Sequence, residues 1–135
     1  MKKEIADKWV EALRSGEYNQ GRGYLRVENE YCCLGVLCEI LDVPKVKEND
    51  EKYIYDGRGD VLPVSVVNLV GIYGNDGSIP GFIFIVDEEL LLKEDLPKGF
   101  NEFDFTRYDS LAEANDDGVS FNQIANFIER YWNKM

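Results

Sequence analysis

The sequence predicts an α+β fold: a single compact domain with a β-hairpin or small antiparallel sheet and about four to five helices packed on it. Apolar residues recur with helical spacing at both ends of the chain, whereas residues 81–86 form a continuous β-prone run. This mixture of separate helices and few strands is typical of α+β proteins. With 135 residues the chain is expected to form one domain, 1–135, because it can bury about two-thirds of its unfolded surface.

The N-terminal part of the chain predicts two helices with a hairpin between them. Residues 3–15 have apolar side chains every four positions from Ile5 to Leu13, and Gly16 follows as a natural helix stop. The patterns that follow predict a loop at 17–23, a hairpin made of 24–27 and 30–33 with Glu28-Asn29 at its turn, and a short buried helix at 34–41 that ends before Pro44.

The middle of the chain has weaker patterns, because charged residues and glycines interrupt it. Residues 44–60 are highly charged and contain one short strand candidate at 53–55. The later patterns predict a helix that starts at Pro63 and closes at Gly71, a loop at 71–81, a buried strand at 81–86, and a partly irregular acidic segment at 87–105.

Two helices are predicted near the C-terminus. Residues 106–115 have the pattern of one helix. Ser120 and Gln123 form a capping-box pattern at the start of the next helix, since each side chain can bond the backbone N–H of the other residue. A wide apolar face then continues to residue 132, so this last helix is expected to pack firmly on the core.

The charge of the chain is strongly negative and unevenly distributed. The net charge is −11, and residues 87–117 hold eleven acidic residues against three basic ones, a net charge of −8. Such a field repels the phosphates of nucleic acids and membranes, so neither direct nucleic-acid binding nor membrane association is expected. No apolar run reaches the roughly 20 residues of a membrane span, and the charged start lacks a secretory leader pattern, which favours a cytoplasmic location.

Three cysteines, Cys32, Cys33 and Cys38, lie close together in an apolar segment, and the chain has no histidine. A thiol nucleophile needs a base, usually histidine, and a structural zinc site needs four nitrogen or sulfur ligands. The cysteines are therefore expected to be reduced and buried as small hydrophobic residues. The sequence predicts no catalytic residue, no metal site and no cofactor, and thiol chemistry is the least favoured function.

The most distinctive polar stretch is an island of arginine, glycine and tyrosine that leads into the hairpin. Glycine lets backbone N–H groups approach an anion closely, arginine offers a planar fork for phosphate or carboxylate, and tyrosine rings can stack on a base. The open alternative is a flexible lead-in whose arginines pair with local acids such as Glu17 or Glu28. The residues predicted to hold a ligand are Gln20, Arg22, Tyr24, Arg26 and Tyr31, joined by Asn115 and Asp116 from a polar cluster near the C-terminus.

Segments near both ends of the chain carry distinctive motifs. They are Trp9 followed by ALRSGEYNQGRGYLR at 12–26, YCCLGVLC at 31–38, Leu62-Pro63, and NDDGVSF at 115–121 with Ile124-Ala125 and Ile128-Glu129 after it. With these motifs the chain resembles a family of small proteins from phages, prophages and some bacteria that has no settled activity. The resemblance implies a bacterial host, in which such accessory proteins often bind a host component, sometimes a nucleotide-derived defence signal.

Two functional hypotheses follow. The leading one is a non-enzymatic accessory protein of phage type that binds and sequesters a small anionic, nucleotide-like ligand in the host cytoplasm, with an anti-defence role as one version of it. The alternative is an acidic inhibitor or DNA mimic that docks on a basic host protein through residues 87–117. The sequence leaves open the ligand, the host target and whether the chain forms a homo-oligomer.

Overall fold

A computed structural model describes residues 1–135 and contains five helices, three small sheets and three short 3-10 turns, which confirms the predicted α+β class. The helices are α1 Lys3–Arg14, α2 Cys33–Ile40, α3 Val64–Val70, α4 Leu111–Asp116 and α5 Phe121–Tyr131. The strands are β1 Asn19–Gln20, β2 Arg26–Val27, β3 Glu30–Tyr31, β4 Lys45–Lys47, β5 Tyr53–Tyr55, β6 Ser78–Val86, β7 Glu89–Leu92 and β8 Arg107–Ser110. The 3-10 turns are Lys93–Asp95, Glu102–Asp104 and Trp132–Lys134.

The strands form three separate sheets. In the first, β3 pairs with β1 in parallel and with β2 antiparallel, so the predicted hairpin is present with very short strands. In the second, β4 and β5 form an antiparallel pair. In the third, the central strand β6 pairs antiparallel with β7 on one side and β8 on the other. This third sheet carries the largest cavity.

The core lies where α1, α2 and α5 meet, and its buried residues form one continuous cluster. Trp9 of α1 is fully buried, and its indole N–H donates to the carbonyl of Cys33 at the start of α2, 2.9 Å away. The predicted capping box of α5 is present: Gln123 N donates to Ser120 Oγ, and Ser120 N donates to Gln123 Oε1. None of the helices combines the length and apolar character needed to cross a membrane.

Two predictions for the first half of the chain need correction. Residues 17–23, predicted as a loop, contain β1, which pairs in parallel with β3. Gly21 N extends this pairing by donating to Tyr31 O at 2.7 Å. Likewise residues 44–60 contain a second strand, β4, beside the expected β5. Strands of two or three residues are too short to show a period in sequence, so only their partners reveal them.

Two predictions for the second half were also wrong, whereas a third was confirmed. The helix expected at 106–115 begins only at Leu111, because residues before it extend as β8 and Ser110 caps the helix by accepting from Glu113 N at 3.1 Å. The acidic segment 87–105 is irregular in part, as predicted: only β7, whose leucines are buried, is regular, and turns and irregular chain make up the rest. Strand β6 begins at Ser78, inside the loop predicted at 71–81, because its first residue pairs with Ser110 of β8.

Candidate functional site

Four of the predicted site residues do come together, around the side chain of Asn115. This asparagine is fully buried. Its Oδ1 accepts from Gln20 Nε2 at 2.9 Å and from Cys33 N at 3.1 Å, and its Nδ2 donates to Gly21 O at 2.8 Å. Its Nδ2 also donates to Asp116 Oδ1 at 3.3 Å, so both donors and the acceptor of the amide bond groups of the protein itself. Asn115 joins the end of β1 to α4 as a structural residue.

The neighbours of Asn115 are engaged in the same way. Gln20 Nε2 also donates to Val119 O at 2.7 Å, and Asp116 Oδ1 accepts from Gly23 N at 2.8 Å. The Arg22 guanidinium lies against Gly118, takes part in no ion pair and is exposed to solvent. The polar island and the C-terminal cluster therefore meet in space, but as an internal network with one free arginine at its edge.

Arg26 is turned into the protein rather than toward solvent. Its guanidinium carbon lies 4.0 Å from the centre of the Tyr53 ring and 5.0 Å from that of Tyr31. Its Nε donates to Glu28 O at 2.6 Å, and a terminal nitrogen lies 3.9 Å from a carboxylate oxygen of Glu39. A planar cation held between two rings and a carboxylate is already satisfied. This group stabilises the junction of β2, β3 and β5.

The two predicted tyrosines, Tyr24 and Tyr31, have different neighbours. Tyr24 is exposed, and its ring lies beneath the ammonium of Lys52, with 3.9 Å between the nitrogen and the ring centre. Tyr31 packs edge-on against Tyr18, with 5.2 Å between ring centres. No single cavity contains both tyrosines together with either of the predicted arginines.

The three cysteines are buried free thiols. Burial raises the pKa of Cys32 to about 11 and that of Cys38 to about 12, and it raises the pKa of Cys33 well above its ordinary value. A thiol held in its protonated form is a poor nucleophile and a poor metal ligand. The thiols contribute to packing, and Cys32 Sγ also accepts from Gly35 N at the start of α2, at 3.4 Å.

This burial predicts that native protein at pH 8 does not react with Ellman's reagent within the time in which an exposed thiol is fully labelled, because both access and thiolate fraction are low. The measurement is absorbance at the wavelength of the released thiolate, with and without denaturant. Three equivalents are expected to react only after unfolding. Rapid labelling of any cysteine in the folded protein would contradict the prediction.

The largest cavity lies elsewhere, on the sheet formed by β7, β6 and β8. Its volume is about 620 Å³, within the range of about 300–1,000 Å³ that is usual for small-molecule sites. Five chain segments meet around it: the first half of β6, the end of β7 with the turn after it, the second 3-10 turn, the start of β8, and the C-terminal turn. The lining residues are Ile79, Pro80, Gly81, Phe82, Phe84, Leu92, Lys93, Glu94, Glu102, Arg107 and Lys134.

A wide bulge in β6 creates one wall of this cavity. Ser78 pairs with Ser110 and Ile83 pairs with Tyr108, so β6 advances five residues where β8 advances two. The extra residues include Gly81, whose φ of 105° suits glycine. Bulges of this kind redirect side chains out of the sheet and are common beside functional sites. The bulge thus divides β6 into a part that pairs with β8, which includes Phe84, and a part that does not, which includes Phe82.

Two phenylalanines give the cavity an apolar surface. Phe84 is 1% exposed and belongs to the paired part of β6, whereas Phe82 is 38% exposed and belongs to the bulge. Their ring centres lie 6.4 Å apart in an edge-to-face arrangement. The Arg107 guanidinium lies over the Phe82 ring, with 4.1 Å between its carbon and the ring centre. A flat cation and a flat ring are thus presented together at the cavity wall.

The charges around the cavity differ from those of the whole chain. Lys93 pairs with Glu102 at 3.1 Å, and Lys134 pairs with Glu94. The hydrogen bond from Lys134 holds the pKa of Glu94 below its ordinary value. Arg107 takes part in no ion pair. Three cations against two carboxylates leave a local positive surplus, in a protein whose net charge is −11.

None of the residues that line this cavity was among those predicted from the sequence. One feature of the sequence does indicate the bulge beside the cavity. This feature is the Pro80-Gly81 pair within a β-prone run, because proline and glycine inside a strand mark bulges. The partner cation, Arg107, could not be found in this way, since only the pairing of β6 with β8 brings it to Phe82. The arginines predicted from the sequence, Arg22 and Arg26, lie close to glycines in the chain but outside this cavity.

The fold and the cavity define a small α+β protein with a ligand-sized, cation-rich pocket on an antiparallel sheet. No three His, Cys, Asp or Glu side chains are grouped so that they could hold a metal ion. The chain belongs to the family described as Domain of unknown function (DUF8296), which matches residues 1–132. No curated protein and no solved structure matches it. Membership of a family without an assigned activity agrees with the resemblance seen in the motifs, while the phage origin stays a prediction.

Proposed function

We propose that this protein is a non-enzymatic binding protein for a small anionic ligand with a flat ring, of the nucleotide type, held in the cavity beside the β6 bulge. The observation that carries the proposal is the Arg107 guanidinium, unpaired with any carboxylate and stacked on Phe82 at the wall of that cavity. The ligand class is the one expected from the sequence, but the residues that hold it differ from those predicted.

The ring of the ligand is assigned to the wall of the cavity that Phe82 and Arg107 form. Base rings stack on aromatic side chains and on guanidinium planes, and such contacts contribute about 1–3 kcal/mol per base. Phe82 is partly exposed, so a ring that covers it removes apolar surface from water. Buried Phe84 beneath it supplies a rigid apolar floor. These features favour a planar ring over an extended aliphatic chain.

The anionic group of the ligand is assigned to Lys93, Lys134 and Arg107. The two lysines are already paired with carboxylates, but their side chains remain well exposed. Exposed ion pairs contribute only about 0–1 kcal/mol, so a phosphate can replace a carboxylate at little cost. Arginine adds a planar fork that phosphate oxygens match well.

A sequestering accessory protein of phage type is the wider role that we propose for this binding. It rests on the resemblance of the motifs to phage and prophage proteins and on the absence of a nucleophile–base pair among the cavity residues. A protein that holds a nucleotide without altering it can lower the free concentration of a host signal, and this includes a defence signal. The binding would then take place in the cytoplasm of the bacterial host.

Docking on a basic host protein through residues 87–117 has less support. Six of the eleven acidic side chains in that segment are engaged within the molecule: three are in ion pairs, which cancel charge, and three accept hydrogen bonds, which occupy oxygens that a partner would contact. The engaged carboxylates are those of Glu94, Glu102 and Asp95 in ion pairs, and those of Glu113, Asp116 and Asp117 in hydrogen bonds.

Isothermal calorimetry with AMP, adenosine and pyrophosphate tests the proposal. AMP is expected to bind, whereas adenosine lacks the anion and pyrophosphate lacks the ring, so each should bind more weakly. Arg107→Gln is expected to reduce AMP affinity by about tenfold or more, because a charge-assisted contact is lost. Arg58→Gln is the matched control: it removes the same charge from an exposed arginine outside this cavity.

Two results would overturn this assignment. One is the absence of heat with AMP and also with a panel of cyclic and linear dinucleotides at high protein concentration. The other is binding that Arg107→Gln and Arg58→Gln weaken equally, since that would show a general charge effect without a site. Loss of affinity in an Arg22→Ala variant alone would return the ligand to the polar island near the hairpin.

A further inference from the structure

Residues 97–105, here called the strap, connect the 3-10 turn after β7 to the start of β8. The backbone hydrogen bonds of the strap are all local, as from Phe100 N to Pro97 O and from Asp104 N to Asn101 O. Apart from these, a single polar contact ties the strap to the rest of the protein: the ion pair between Glu102 and Lys93, at 3.1 Å. The strap is therefore held by one surface interaction.

The apolar side chains of the strap do little to fix it in place. Phe100 is 58% exposed and Phe103 is 74% exposed. The Phe100 ring packs on half-buried Phe105 of the same strap, with 5.2 Å between the two ring centres. A segment with few buried contacts and only local hydrogen bonds opens at low free-energy cost compared with the core. The Glu102–Lys93 pair is thus the contact whose loss would release it.

That same ion pair lies at the cavity. Both Glu102 and Lys93 line it, and the Glu102 carboxylate is the more buried of the two partners. The Glu102 carboxylate is paired with the Lys93 ammonium, which an anionic ligand would need. We infer that Glu102 is an internal competitor for the ligand's anionic group, and that binding displaces it from Lys93 and releases the strap. This inference rests on the proposed function, because it concerns the same cavity.

The competition has two consequences that can be measured. Removal of the Glu102 charge frees Lys93 and lessens repulsion of an anion, so affinity should rise. Release of the strap exposes its backbone to proteases, and Lys98-Gly99 within it is a bond that trypsin can cleave. A ligand that displaces Glu102 should therefore make this bond more sensitive, the opposite of the protection that a closing lid would give.

Calorimetry of Glu102→Gln with AMP is the first test. Its affinity for AMP is expected to be about three- to fivefold higher than that of the natural protein, which matches the small free energy of an exposed ion pair. Asp104→Asn is the matched control, because it removes the same charge from the same strap at a side chain without a partner. That variant should bind AMP with nearly unchanged affinity.

Limited trypsin digestion is the second test, and its comparison of variants needs no ligand. Cleavage at Lys98-Gly99 is expected to be several-fold faster in Glu102→Gln than in the natural protein or in Asp104→Asn. Addition of AMP to the natural protein should produce the same increase. The Arg58-Gly59 bond follows β5 and lies outside the cavity, so it serves as the internal reference, and its cleavage rate should stay constant throughout.

The outcomes separate this inference from the proposed function. If AMP binds equally to the natural protein, Glu102→Gln and Asp104→Asn, the competition is refuted while the binding site stands. If AMP binds to Glu102→Gln alone, the competition is supported in its strongest form. If AMP binds to no variant but Glu102→Gln still accelerates cleavage at Lys98-Gly99, the strap is tied as described and the ligand class is wrong. Equal cleavage rates at Lys98-Gly99 in all variants would refute the conclusion that the Glu102–Lys93 ion pair holds the strap in place.

Discussion

Replacement of Asn115 by alanine is expected to lower the free energy of unfolding by about 3 kcal/mol or more. The asparagine amide satisfies Cys33 N, Gly21 O and Gln20 Nε2 in a site without solvent. Alanine leaves Cys33 N and Gly21 O unpaired, while Gln20 Nε2 keeps its bond to Val119 O. A buried polar group without a partner costs about 1–3 kcal/mol. Asn115→Asp should be worse, because a carboxylate cannot donate to Gly21 O and would be buried as a charge.

Thermal unfolding followed by circular dichroism measures this effect. For a chain of this size, the loss of about 3 kcal/mol corresponds to a Tm about 10 °C lower. Asn122→Ala is the matched control: the same substitution on the exposed side of α5, at a side chain without a hydrogen bond, should leave the Tm within about 2 °C. Equal Tm values for the Asn115 and Asn122 variants would show that the network contributes no net stability.

The network around Asn115 explains why the most distinctive motifs of the sequence do not form the cavity. Gln20 and Asn115 lie far apart in the chain, and their pairing fixes β1 against α4. Strand β8 leads directly into α4, and β8 also carries Arg107. The conspicuous polar residues thus hold the framework on which the cavity is built. A motif can be distinctive because a fold requires it, without any contact to a ligand.

The helices were predictable from sequence where their own residues determine them. α1 and α5 have long apolar stripes, and the Ser120–Gln123 capping box marks the start of α5 through bonds between residues three apart. β7 and β8 were not predictable in this way, because each exists by pairing with β6. The polar residues at alternate positions of β8 resemble a helix start when that partner is unknown.

The candidate site depends on tertiary register even more strongly. Phe82 and Arg107 meet because β6 pairs with β8, which places Arg107 opposite Phe84, two residues after Phe82. Lys134 reaches the same cavity from the last turn of the chain. No local pattern links these residues. Conversely, Arg26 has neighbours that suggest ligand binding, but long-range contacts with Tyr53 and Glu39 occupy its guanidinium.

Replacement of Gly35 by alanine is expected to destabilise the protein by at least about 3 kcal/mol. By helix propensity alone the change should stabilise α2, since alanine is favoured over glycine by about 1 kcal/mol within a helix. A Cβ on Gly35, however, would lie 1.8 Å from Leu25 O and 2.7 Å from Leu25 C. These are backbone atoms and cannot rotate away. Either α2 or the segment entering the hairpin must move.

Gly59→Ala separates this close approach from a general effect of glycine. Gly59 needs no left-handed conformation, and a Cβ there would find its nearest neighbour, Tyr53 O, at 3.7 Å, an ordinary contact. Chemical denaturation should therefore show a small change for Gly59→Ala and a large loss for Gly35→Ala. If Gly35→Ala were as stable as the natural protein, α2 could shift without cost, and the tight packing of the cysteine-bearing helix on Leu25 would not be essential to the fold.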